Sequence, residues 1–172
     1  MTYRAIDASV VIAKMLDEER PRWVDEAVTA ARHDELHLIA PTLMWVEVGN
    51  RLVRRDMTDE QALDAMLRVE AIGIETVELQ RPIRLRAVQL GREHQLSMYD
   101  ATYLAVAEST RAPLLTLDAE LERAAETMGL GRPGHGRVPE PVAPYGDKRP
   151  VDQASIAAIG AALAEMRREY SR

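Results

Sequence analysis

Over its first 130 residues the chain alternates short apolar runs with longer segments of helical periodicity, and this constrains the fold more than any other feature. Strand-like runs occur at Tyr3–Ile6, His37–Ala40, Ile74–Leu79 and Pro113–Leu117. Each is bounded by turn or capping residues. Helical spacing fills the intervals. Ser9 is placed to cap a helix over Val10–Leu16, and Pro21 to open one from Arg22 to His33. Pro41 and Thr42 start a helix through Arg55. Thr58-Asp59-Glu60-Gln61 is a capping box for a helix ending near Ala71. Pro82 starts a helix through His94, Ser97 one through Ser109, and Asp118 one that stops at Gly129. Strands that alternate with helices predict an α/β fold around a parallel sheet. Ligands in such sheets bind beyond the carboxyl ends of the strands. Asp7 and Asp118 each follow a strand and are expected on that edge.

The texture changes after residue 130. Residues 131–150 are rich in Pro and Gly and read as an extended linker. Residues 151–172 read as an amphipathic helix, with Ile156, Ile159, Leu163 and Met166 on one face. The expected organisation is one compact domain over 1–130, a linker and a C-terminal helix.

Composition removes several chemistries. The 172 residues include no Cys, which excludes disulfide frameworks, thiolate zinc sites and cysteine nucleophiles. The four histidines have no metal-ligand spacing. There is no Gly-x-Ser-x-Gly elbow, no dinucleotide fingerprint and no Walker loop. No signal-peptide pattern or membrane-length apolar run is visible, so a cytoplasmic location is expected. Residues 1–130 carry 15 Lys and Arg against 23 Asp and Glu. An acidic body binds phosphate backbones poorly without bound cations or a local Arg patch. Arg81, Arg84, Arg86 and Arg92 form the densest basic cluster; they read either as a nucleic-acid track or as a solvated helix face.

Four carboxylates carry the functional reading: Asp7, Glu47, Asp100 and Asp118. Three of them have an ordinary structural explanation. Asp7 and Asp118 follow strands and can cap helices, and Asp100 closes a capping-box pattern with Ser97. Glu47 differs. Leu43, Val46, Asn50 and Val53 recur at helical spacing, and Glu47 falls on that face beside Asn50. An acid on a core-facing stripe is costly unless it is paired with a base such as Arg51 or Arg54, or coordinates a metal. Four acids brought together would repel and hold raised pKa values, and a hard divalent cation such as Mg²⁺ or Mn²⁺ would relieve that.

These residues resemble a known family. Ile6-Asp7-Ala8-Ser9-Val10-Val11, Val46-Glu47-Val48-Gly49-Asn50-Arg51-Leu52, Tyr99-Asp100 through Glu108, and Leu114-Leu115-Thr116-Leu117-Asp118 resemble, in order, the acidic motifs of PIN-domain ribonucleases. The likeness is strongest to the toxins of VapBC-type toxin–antitoxin modules. The resemblance covers about residues 1–130 and implies a three-layer α/β/α fold with a central parallel sheet. It implies Mg²⁺- or Mn²⁺-dependent endoribonuclease activity, with a metal-activated water attacking the RNA phosphodiester. It also implies a cognate antitoxin and a homodimer. Asp7, Glu47, Asp100 and Asp118 would be the catalytic, metal-binding acids. Ser9 and Thr116 would hold ligands or water, and Asn50 would hold Glu47. Two alternatives stay open at this stage: a PIN-fold binding module with little or no nuclease activity, and a metal-dependent enzyme acting on DNA or small phosphate esters. The C-terminal linker and helix have no counterpart in the resemblance.

Overall fold

A computed structural model describes residues 2–133; the expected linker beyond them and the expected C-terminal helix lie outside the described residues. The elements run β1 (Tyr3–Ile6), α1 (Ala8–Met15), α2 (Arg22–Arg32), β2 (His37–Pro41), α3 (Leu43–Val53), α4 (Asp59–Glu70), β3 (Glu75–Val77), α5 (Arg81–His94), α6 (Met98–Thr110), β4 (Leu114–Leu115) and α7 (Ala119–Thr127). Every strand pair is parallel, and the order is β3-β2-β1-β4.

That order fixes where a site can form. From β1 the chain steps outward to β2 and β3, then crosses back to place β4 on the far side of β1. Right-handed crossovers put helices on opposite faces of the sheet when the direction of travel reverses. The result is three layers, with α6 packed on β1, β2 and β4. The reversal falls between β1 and β4, where loops part and leave a crevice at the carboxyl edge. Asp7 directly follows β1 there, and Thr116 directly follows β4.

The core explains the sheet. Ile6, Leu38, Ala40 and Leu114 are buried, and both central strands read as near-continuous apolar runs, as strands covered on both faces require. Helix α6 is buried from Ala101 to Ala107, seven consecutive residues. A helix that is apolar all round belongs in the interior.

Several local expectations change. The capping box at Thr58 and Gln61 forms as read. Ser9 does not cap α1; the N-cap residue is Asp7, without a side-chain cap bond, and the helix begins at Ala8. The Ser9 hydroxyl is instead engaged across the sheet edge. Pro41 does not start a helix but ends β2, paired with Val77. It needs no amide bond there, which suits proline at a strand end. Strands β3 and β4 are shorter than the apolar runs, because each is an outer strand with a single neighbour. The expected face of α3 is also corrected. Val46 and Val53 are 58% and 85% exposed, Asn50 is exposed, and the buried face is Met44, Val48 and Leu52.

Candidate active site at the carboxyl edge of the sheet

Asp7 sits at the crevice because β1 delivers it there, and it is 6% exposed. Its Oδ2 accepts hydrogen bonds from Ser9 Oγ at 2.5 Å and Thr116 Oγ1 at 2.9 Å. Both hydroxyls also accept backbone amides from the end of β4. Ser9 Oγ takes the Leu117 N–H at 3.1 Å, and Thr116 Oγ1 takes the Asp118 N–H at 3.0 Å. The chain leaving β4 is thus tied to the carboxylate leaving β1. Burial pushes the Asp7 carboxyl above its usual range. The bonds from Ser9 and Thr116 oppose that push, and the Asp100 charge adds to it.

Glu47 lies in the middle of α3, half-buried at the margin of its core face. Neither basic partner weighed from sequence claims it: Arg51 pairs with Glu18 at 3.1 Å. Its Oε2 accepts the Tyr103 hydroxyl at 2.5 Å. Burial raises the Glu47 carboxyl, the Tyr103 bond opposes this, and the charges of Asp7 and Asp100 raise it further.

Asp100 stands in the first turn of α6. Its amide donates to the N-cap Ser97 Oγ at 3.2 Å, and its Oδ2 accepts the Ser97 hydroxyl at 2.6 Å. Its cap role is therefore real, yet its charge also acts on both other acids. The Asp100 charge raises the Asp7 and Glu47 carboxyls, and the Asp7 charge also raises Glu47.

Asp118 is placed differently. It is exposed and caps α7, its Oδ1 accepting the amides of Glu120 at 2.9 Å and Leu121 at 2.8 Å. It joins the other acids through Thr116, and its charge is not among those raising Asp7 or Glu47. Among the described residues, no group of three or more His, Asp or Glu forms a ready-made ion cage.

Sequence reasoning missed Tyr103. The signal was present, since a phenol inside a fully apolar helical run needs a hydrogen-bond partner, and Glu47 needed a donor. The expected holder of Glu47, Asn50, is exposed, and the group that reaches Glu47 is Tyr103. The basic cluster is also partly committed. Arg86 forms a two-pronged pair with Glu108 at 2.7 and 2.8 Å, and Arg84 donates to the Leu79 carbonyl.

A four-stranded parallel sheet of order β3-β2-β1-β4, with its switch point between β1 and β4 and helices on both faces, defines a three-layer α/β domain. A PIN-domain family model matches residues 5–127, and the chain belongs to that family. It is 34% identical over 121 residues to "Ribonuclease VapC3" of Pyrobaculum aerophilum, a match spanning 67% of this chain and 89% of that protein. The crystal structure of PAE2754 from Pyrobaculum aerophilum superposes with a TM-score of 0.54 at 25% identity, covering 74% of this chain and 86% of that one. A toxin–antitoxin complex from Klebsiella pneumoniae contains a chain of the same fold, with a TM-score of 0.50 at 20% identity over 67% of this chain and 86% of that one. Among the described residues no helix is long and apolar enough to cross a membrane.

Proposed function

We propose that this protein is a Mg²⁺- or Mn²⁺-dependent endoribonuclease and the toxin member of a toxin–antitoxin pair. The observation that carries the reading is the buried Asp7 carboxylate at the carboxyl end of β1, held by Ser9 and Thr116 and raised by burial, with Glu47 raised by burial as well and the Asp100 charge acting on both. Uncompensated, that arrangement costs stability, and oxygen-only donors of this kind suit a hard divalent cation. Asp7, Glu47 and Asp100 would hold the cation, with Asp118 as a fourth acid reaching it through its second oxygen or through water. When bound, the ion supplies Lewis-acid charge to the phosphate and lowers the pKa of an attacking water.

The chain's own groups do the rest. Ser9 and Thr116 fix the Asp7 carboxylate from two sides. Ser97 fixes Asp100, and the α7 amides fix Asp118. The VapC3 ribonuclease likeness supports RNA as substrate, and the Klebsiella complex supports a protein antitoxin as partner. Exposed Arg81 and Arg92 remain available to an RNA backbone, whereas Arg86 is held by Glu108.

The test is a parallel assay on single-stranded RNA, single-stranded DNA and a generic phosphate ester, with Mg²⁺, Mn²⁺ or EDTA. RNA cleavage that needs the cation and vanishes in Asp100→Asn is expected. Equal cleavage by that variant, or cleavage undiminished in EDTA, contradicts the reading. Co-expression with the product of the adjacent reading frame is expected to suppress cleavage. A second reading, a PIN-fold binding module with little nuclease activity, draws on the absence of a closed cage among the described residues. A flat Mn²⁺ calorimetric titration selects it.

A further inference from the structure

We propose that Tyr103 is a positioning residue that fixes the orientation of the Glu47 carboxylate from α6. The inference rests on the metal-dependent reading above. The phenol is 1% exposed and lies within the seven buried residues of α6. Its hydroxyl donates to Glu47 Oε2 at 2.5 Å, across 56 residues of sequence. Tyr103 is the donor in this bond, and Glu47 Oε1 is the oxygen the phenol does not engage.

The spacing on α6 adds a third link. Tyr103 follows Asp100 by three residues, which places both on one face of the helix. One helix face thus presents an acid, Asp100, and the group that orients a second acid, Glu47. A phenol suits this role because it reaches far with only two side-chain torsions.

A tyrosine that only filled the core would be replaceable by phenylalanine without effect on the site. Tyr103→Phe keeps the ring and removes the oxygen. Groups that orient a metal ligand typically contribute about 10–100-fold to metal affinity or activity. In Tyr103→Phe the Kd for Mn²⁺, measured by calorimetry without RNA, is expected to rise at least tenfold, with kcat for RNA falling and KM for RNA unchanged. In a Glu47→Gln background the same substitution is expected to leave the Mn²⁺ affinity unchanged, because the carboxylate it serves is gone. An unaltered Mn²⁺ Kd in Tyr103→Phe overturns the positioning role. So does an equal loss with and without the Glu47 carboxylate. If wild-type protein neither binds Mn²⁺ nor cleaves RNA, the metal-dependent reading falls, and this inference with it. If wild type does both and Tyr103→Phe matches it, only this inference falls.

Discussion

Thr116→Val removes one hydroxyl at nearly constant shape, and that hydroxyl has two partners. It donates to Asp7 Oδ2 at 2.9 Å and accepts the Asp118 amide at 3.0 Å. Thr116 is 4% exposed and Asp7 6%, so water does not readily replace the first bond. A hydrogen bond to an ionised group contributes about 1.5–3 kcal/mol, and stranding a donor costs about 1–3 kcal/mol. The Asp118 amide sits next to an exposed side chain, so the low end of the second range applies. The expected loss is about 3 kcal/mol at a pH where Asp7 is ionised. With Asp7 protonated the lost bond is neutral, contributing about 1 kcal/mol, and the total shrinks to about 2 kcal/mol. The sign follows from linkage. The Thr116 bond lowers the folded-state Asp7 carboxyl, so removing it raises that carboxyl further while the unfolded value is unchanged. The penalty therefore grows as pH rises through the Asp7 titration. Urea denaturation at several pH values in EDTA reads this directly. With a slope of about 1–3 kcal/mol/M, the midpoint is expected to fall by roughly 1–3 M at neutral pH and by less in acid. Thr116→Ser, which keeps the oxygen, is expected to retain most of the stability. A Thr116→Val midpoint within 0.2 M of wild type, or a penalty that shrinks with rising pH, refutes the reasoning.

Asp7→Asn is expected to be more stable than wild type in EDTA at neutral pH. The folded-state carboxyl is raised, so the wild type loses stability as pH rises from the ordinary carboxylate range of about 4 through the raised value, and the variant does not. Denaturant midpoints against pH check this, and adding Mn²⁺ is expected to stabilise only the wild type. Leu104→Ala empties a fully buried position in α6 and is expected to cost about 2–5 kcal/mol by the same method. Arg86→Ala breaks the pair with Glu108, whose side chains are each more than a third exposed, and is expected to cost about 1 kcal/mol or less while leaving KM for RNA unchanged.

What was legible in the sequence was local. The Thr58 capping box, the Ser97 start of α6 and the Asp118 start of α7 all involve partners within three residues, and all are found. The alternation of apolar runs and helical segments likewise yields the parallel sheet. The misreadings have a common cause. On α3, Leu43, Val46 and Val53 form one apolar set and Met44, Val48 and Leu52 another, and helical spacing does not choose between them. The sheet chooses the second. Glu47 flanks both sets, which is why its need for a partner was visible although its face was not. The partner itself, Tyr103 on α6, is set by how two distant helices meet. Ser9 is the converse case: its position suits a cap, but Asp7 and the Leu117 amide compete for the hydroxyl and win. The four Arg of α5 form a cluster in sequence, yet the pairing of Arg86 with Glu108 is set by packing against α6.

The central claim is that Asp7, Glu47 and Asp100 together form one divalent-cation site. Mn²⁺ titration followed by electron paramagnetic resonance, in which bound ion loses its free-solution signal, tests it without RNA or turnover. Saturable binding is expected for the wild type, weakened at least tenfold in each of Asp7→Asn, Glu47→Gln and Asp100→Asn. Asp25→Asn, at an acid already paired with Lys14 and Arg20, is expected to bind as wild type does. No saturable binding by the wild type, or the same affinity in all four variants, contradicts the account.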